Sequence, residues 1–189
     1  MAAQEQVIEA FRRLGRRYQL VMVGGAERRS LENNVRIVPY RRDSRDVASW
    51  MASADAFVHA GTQETFGLAA IEAMACGIPV VAANAAALPE LVDDRVGRLA
   101  QPGDPASLAR ALDSLWDDDL AALGAHARGR VLERFVWSRV FSGQLVTSLA
   151  LTAPRSARTV APSTEPSSTQ PLGESANTVS FPLRSPTAT

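Results

Sequence analysis

The chain has 189 residues, with 20 basic and 20 acidic side chains and a formal net charge of zero, the dimensions of one soluble domain with room for an appendage. None of the cations is Lys; all are Arg, which excludes Schiff-base and P-loop chemistry but keeps a bidentate grip on phosphate. Balanced charge excludes a duplex nucleic-acid binder, whose affinity needs excess cations. No apolar run approaches the roughly 20 residues that span a bilayer, and Met1 to Arg17 mixes Gln, Glu and Arg where a secretory signal would be apolar. The chain therefore reads as cytoplasmic, and a single cysteine, Cys76, leaves no internal disulfide.

Taken in order, Val7, Ile8, Phe11 and Leu14 recur at helical spacing up to Gly15. Tyr18 to Val23 is a continuous apolar run closed by Gly24-Gly25, the pattern of a strand buried on both faces. Val35 to Val38 is a second strand, ended by Pro39. Val47, Trp50 and Met51 predict a helix leading to a third strand, Ala56 to Ala60. A turn at Gly61 to Thr65 opens a helix from Phe66 to Ala75, with Gly77 as its C-terminal cap. Ile78 to Ala82 is a fourth strand, Leu88 to Val92 a short helix or turn, and Gly97 to Ala100 a fifth strand. Asp104-Pro105 then caps a helix carrying Leu108, Leu112, Leu115 and Trp116. Such alternation predicts an α/β fold, a parallel Rossmann-like sheet flanked by helices. Composition changes near residue 152. From Thr152 to Thr189, 20 of 38 residues are Ser, Thr or Pro, which predicts a disordered tail.

Ligands of parallel sheets sit beyond the carboxyl ends of the strands, here Gly24-Gly25, Pro39 to Arg41, Gly61 to Gly67 and Ala83 to Leu88. In the third of these segments, Glu64 lies in a turn, a helix starts near Phe66-Gly67, and Glu72 follows Glu64 after seven residues. Free N–H groups at a helix start suit a phosphate. Carboxylates beside them repel phosphate, so their role is to accept hydrogen bonds from hydroxyls. A ligand with both phosphates and hydroxyls is a nucleotide sugar.

These residues resemble a family. Glu64 and Glu72 with Phe66-Gly67-Leu68 between them, followed by Ala73-Met74-Ala75-Cys76-Gly77-Ile78-Pro79-Val80-Val81, resemble the E-x7-E signature of the group 1 retaining glycosyltransferases of GT-B fold. Val21 to Gly25 is similar to the family's strand and glycine turn, Leu88 to Val92 with Gly97 to the segment after the donor loop, and Arg128 to Val140 to the closing helix with its Phe-x-Trp element. The resemblance covers residues 1–148, read as the C-terminal, nucleotide-sugar-binding half of a GT-B enzyme; residues 149–189 are the Ser/Thr/Pro-rich tail.

The resemblance implies retaining transfer of a hexosyl group from a nucleotide-diphosphate sugar to an acceptor hydroxyl, on a glycan, lipid or small molecule, with no metal and no cofactor beyond the donor. Glu64 is then the catalytic-site carboxylate that holds sugar hydroxyls, and Glu72 binds the ribose. The amides of Phe66, Gly67 and Leu68 contact sugar and diphosphate, Gly24 and Gly25 let the backbone approach the donor, and Pro39 to Arg41 lies near the base. The family's N-terminal domain and its diphosphate-binding Arg and Lys have no counterpart here, which implies a separate N-terminal half as partner. Two other readings stay open: a non-catalytic nucleotide-sugar-binding fragment, and a GT-B disaccharide phosphorylase or synthase relative.

Plainer readings accompany several features. Gly24-Gly25 reads equally as an ordinary turn. His59 reads as a structural or site-lining histidine, Cys76 as a small buried hydrophobe, and Asp117-Asp118-Asp119 as a solvated charge run. Arg12-Arg13 and Arg16-Arg17, with Glu5 and Glu9 one turn away, form a mixed solvated face; any membrane association is at most peripheral.

Overall fold

The first amphipathic segment forms helix α1 (Ala3–Leu14), burying Val7, Ala10 and Phe11 while Glu9 pairs with Arg12 and Arg13 on the outer face. This and the following account rest on a computed structural model that describes residues 2–25, 29–32, 34–136, 179–180 and 183–184. The end of α1 is closed from outside the helix: Asn34, itself buried, donates from Nδ2 to the carbonyls of Phe11 at 3.2 Å and Gly15 at 2.9 Å. The Phe11 carbonyl, which also takes the Gly15 N–H, thereby gains a second donor and the Gly15 carbonyl gains one from outside the helix; burying such end carbonyls unpaired would be costly.

Strand β1 (Tyr18–Gly25) pairs in parallel with β3 (Val35–Pro39), from Leu20 opposite Val35 to Val23 opposite Val38. A short strand β2 (Arg29–Glu32) lies antiparallel on the outer edge of β3; it has neither an apolar run nor clean alternation, and the sequence does not signal it. Helix α2 (Ser44–Ala52), capped by the Asp43 carboxylate on the Arg45 N–H, follows. Strands β4 (Phe57–His59), β5 (Val80–Ala83) and β6 (Gly97–Ala100) form a second parallel ladder. Helices α3 (Leu68–Ala75) and α4 (Leu88–Leu91) connect them, and α5 (Pro105–Ser114) and α6 (Leu120–Arg134) close the domain.

Helices cover both faces. Val21 and Val23 of β1 join Phe57, Met74, Leu88 and Ala127 in one core, while Tyr18, Leu20 and Met22 join Phe11, Val58, Leu112 and Leu115 in the other. One strand thus feeds two cores by the alternation of its side chains, as expected for a strand apolar throughout. Both cores draw on β1 and β4, although the two strands belong to different ladders, ordered β2-β3-β1 and β4-β5-β6.

Several boundaries shift from the sequence expectation for local reasons. Helix α3 starts at Leu68 rather than Phe66 because Gly67, at φ +77°, takes the left-handed conformation that precedes it. Strand β5 begins at Val80 rather than Ile78. The last described helix begins at Leu120, well before Arg128, and residues 137–140 of the expected closing helix lie outside the described residues. The expected tail lies there too, apart from two short strands, β7 (Val179–Ser180) and β8 (Leu183–Arg184), which run antiparallel along β1 in one register.

Replacing Asn34 by Ala should cost about 1–3 kcal/mol, because the Gly15 carbonyl loses this donor and the buried Phe11 carbonyl loses one of its two. Chemical denaturation of the variant against the parent measures the loss.

Candidate functional site

The segment from His59 to Leu68 is built around the Glu64 side chain. Its Oε1 accepts the Gly67 N–H at 3.1 Å, and its Oε2 lies 3.2 Å from Nε2 of His59. Its main-chain carbonyl takes the Ala87 N–H at 3.1 Å, which ties the turn to the start of α4. Burial alone would raise the Glu64 carboxyl; the bonds from the Gly67 N–H, His59 and the Phe66 N–H outweigh burial and hold it below its ordinary value of 4.5. The result is an ionised, oriented acceptor, partly open to solvent, at the head of a helix.

This geometry revises the expected use of the helix amides. Gly67 and Phe66 turn their N–H groups on Glu64, so in this arrangement they hold the carboxylate rather than wait for a phosphate. Only glycine fits at position 67: besides its positive φ, an added Cβ would stand 2.5 Å from Leu91 Cδ1 and 3.5 Å from Leu88 Cδ2. The α4 segment is held in turn from behind. Arg130 of α6 donates from Nη1 to the Leu91 carbonyl at 2.8 Å and from Nη2 to both oxygens of Asp93 at 2.9 and 2.7 Å, a charge-assisted contact stronger than a neutral hydrogen bond. Between Ala83 and Leu88 the chain passes through Ala86 at φ +52°, the one positive φ on a non-glycine among the described residues, a strained geometry of the sort that collects near functional loops.

The other predicted residues are placed as follows. Glu72 lies on the exposed side of α3, in line with exposed Leu68 one turn earlier, and Phe66 is also exposed; desolvation nevertheless pushes the Glu72 carboxyl above its ordinary value of 4.5. Gly24 and Gly25 end β1, and the Gly25 carbonyl accepts the Tyr40 N–H at 3.0 Å, joining that turn to the exposed Tyr40. Beside Tyr40, Arg41 carries a buried Nε without a partner, a donor that an incoming acceptor would satisfy. Hydrogen bonds thus join His59, Glu64 and Gly67 in one group and Gly25 with Tyr40 in another. Cys76 is half-buried against the core, its thiol raised first by burial and then by Glu72. The Asp run is spent locally: Asp119 caps α6 on the Ala121 and Ala122 N–H groups, and Asp118 pairs with Arg98.

With this geometry in view, the chain can be set beside known proteins. The family model described as Glycosyl transferases group 1 matches residues 1–118. The chain belongs to that family. It is 43% identical over 101 residues to the D-inositol 3-phosphate glycosyltransferase of Paenarthrobacter aurescens, covering 50% of this chain and 24% of that one. It is 40% identical over 99 residues to the MMP alpha-(1->4)-mannosyltransferase of Mycolicibacterium hassiacum, again covering 50% and 24%. Among solved structures, Anabaena HepE in complex with UDP-glucose superposes with a TM-score of 0.65 at 28% identity, over 78% of this chain and 45% of that one. The chain thus spans about a quarter of these two curated relatives and under half of the solved one.

Two contacts of the candidate site have little trace in the sequence. For His59 the signal is the five-residue step to Glu64 across a tight turn. Arg130 falls in the segment that resembles the family's closing helix, but nothing local shows that it reaches a carbonyl 39 residues away.

The carboxyls also set the pH response. Glu64 and Asp93 are held below their ordinary values of 4.5 and 3.8, Asp93 because its bonds from Arg130 and the Arg95 N–H outweigh its burial. Each adds stability that is present above those values and is lost as pH falls through the folded ones. Glu72 has the opposite sign: its penalty is present at neutral pH and is relieved as pH falls toward 4.5. In a series of thermal melts, Glu64→Gln should flatten the decline on the acid side of about pH 4.5, and Glu72→Gln should raise stability at neutral pH by no more than about 0.5 kcal/mol.

Proposed function

We propose that this chain is the donor-binding half of a retaining glycosyltransferase, taking a nucleotide-diphosphate hexose whose sugar is passed to an acceptor hydroxyl on a glycan, lipid or small molecule. The observation that carries this reading is the Glu64 carboxylate, ionised and fixed through both oxygens at the head of α3 in a chain of this family. A pre-oriented anionic acceptor selects hydroxyl groups and disfavours phosphate at that spot, so Glu64 takes the sugar. Glu72, one face of α3 further on, takes the ribose hydroxyls. The Gly24-Gly25 turn and the loop joined to it through Tyr40 take the remainder of the nucleotide, with the Arg41 Nε offering a donor. No cofactor beyond the donor enters the reading. The main electrostatic task is to stabilise the departing nucleotide diphosphate, and part of that task falls to a partner half that also recognises the acceptor.

Titration of the chain with UDP-glucose and with UDP, followed by the GDP and ADP counterparts, tests the donor reading. Glu72→Ala should weaken sugar nucleotide and bare nucleotide alike. Glu64→Ala should weaken the sugar nucleotide more, by about 1–3 kcal/mol. Identical curves for the parent and both variants would overturn the assignment, and sugar transfer by the isolated chain would overturn the reading as a half.

A further inference from the structure

We infer that His59 is a positioning residue for Glu64, and through it a determinant of how well the site tells a sugar nucleotide from the bare nucleotide. The sugar arm of this inference rests on the donor reading above; the arm without ligand does not.

The two ring nitrogens of His59 have different partners. The Gly61 N–H points at His59 Nδ1 from 3.1 Å, so Nδ1 must supply a lone pair. A neutral imidazole has one donor and one acceptor nitrogen, so the ring proton sits on Nε2. That nitrogen is 3.2 Å from Glu64 Oε2, and its N–H therefore donates to the carboxylate. The backbone at Gly61 sets the tautomer, and the tautomer sets the bond to Glu64.

The surroundings fix the ring as well as its proton. His59 ends β4, its side chain is only 16% exposed, and Phe57, two residues back on the same face of the strand, meets the ring edge-on at 6.2 Å between centroids. Gly61 lacks the Cβ that would stand 2.6 Å from His59 Cε1 and 3.1 Å from Nδ1, so the close N–H approach depends on a residue without a side chain. Glu64 then has one oxygen held by backbone and the other by a rigid side chain. Without His59, the Gly67 and Phe66 N–H groups still hold the carboxylate, but Oε2 loses the side-chain donor at 3.2 Å and the group gains freedom of orientation. A hydroxyl meeting such an acceptor must pay for ordering it on binding.

Two variants separate the ring's two bonds. His59→Gln can reach Glu64 with a side-chain N–H, as Nε2 does. His59→Asn can accept from Gly61, as Nδ1 does, but is too short for Glu64. In the ligand-free chain, the Glu64 carboxyl followed by carbon NMR should titrate higher in His59→Ala and His59→Asn than in the parent, and return toward the parent in His59→Gln. In ligand titrations, the preference for UDP-glucose over UDP should fall about five- to tenfold in His59→Ala and His59→Asn and stay near the parent value in His59→Gln. Combining His59→Ala with Glu64→Ala should cost no more preference than Glu64→Ala alone.

An unmoved Glu64 titration in His59→Ala overturns the inference, as does additive loss in the double variant. If UDP-glucose fails to bind the parent chain, the donor reading fails, while the ligand-free titration still decides whether His59 holds Glu64.

Discussion

The site depends on a backbone that comes too close for a side chain. At Gly67 the main chain turns left-handed against Leu88 and Leu91, and its amide reaches the Glu64 carboxylate from that turn. The same residue then serves as the cap from which α3 departs. A Cβ there would strain the left-handed turn and crowd the Leu91 side chain, at the point that orients both the carboxylate and the start of the helix. Three features that look independent in the sequence, a glutamate, a glycine and an apolar Leu-x-x-Leu step, are one packing solution.

The strand and helix order was legible because the apolar runs are unambiguous: Tyr18 to Val23 could only be a strand buried on both faces, and its side chains do divide between two cores. Caps at Asp43, Asp104 and Asp119 follow from the preference of short carboxylates for exposed amides at helix starts, and at Asp104 the following proline adds a second signal in the sequence. β2 was illegible because a short polar edge strand need not alternate. Helix α6 starts earlier than the sequence suggests because its Ala-rich first half has only a weak apolar stripe, and what fixes it is close backbone contact: a Cβ on Gly124 would lie 2.0 Å from the Gly77 carbonyl.

For the site, the residues from Glu64 to Val81, through their resemblance to the family signature, single out Glu64, Glu72 and the glycine-led helix start. They could not give direction. The expectation that the Phe66 and Gly67 amides face a ligand treats a helix N-terminus as an open socket, whereas a carboxylate three residues upstream is long enough to fold back into it. His59 fits the reading as a site-lining residue, but its bond to Glu64 exists only because the turn brings the end of β4 round to face the carboxylate, a three-dimensional fact with a faint local trace.

Helix α6 touches the back of the site at three successive levels: Gly124 against the turn after α3, Arg130 on the Leu91 carbonyl and Asp93, and Phe135, just past its end, edge-on to the exposed Phe66 at 6.1 Å. These grips span the loops that carry the carboxylate, the turn of α4 and the exposed rim. The helix is therefore a common spine to which separate loops are indexed. Held by one helix, these loops keep their spacing to one another, so a displacement of any one of them is passed to the others through α6.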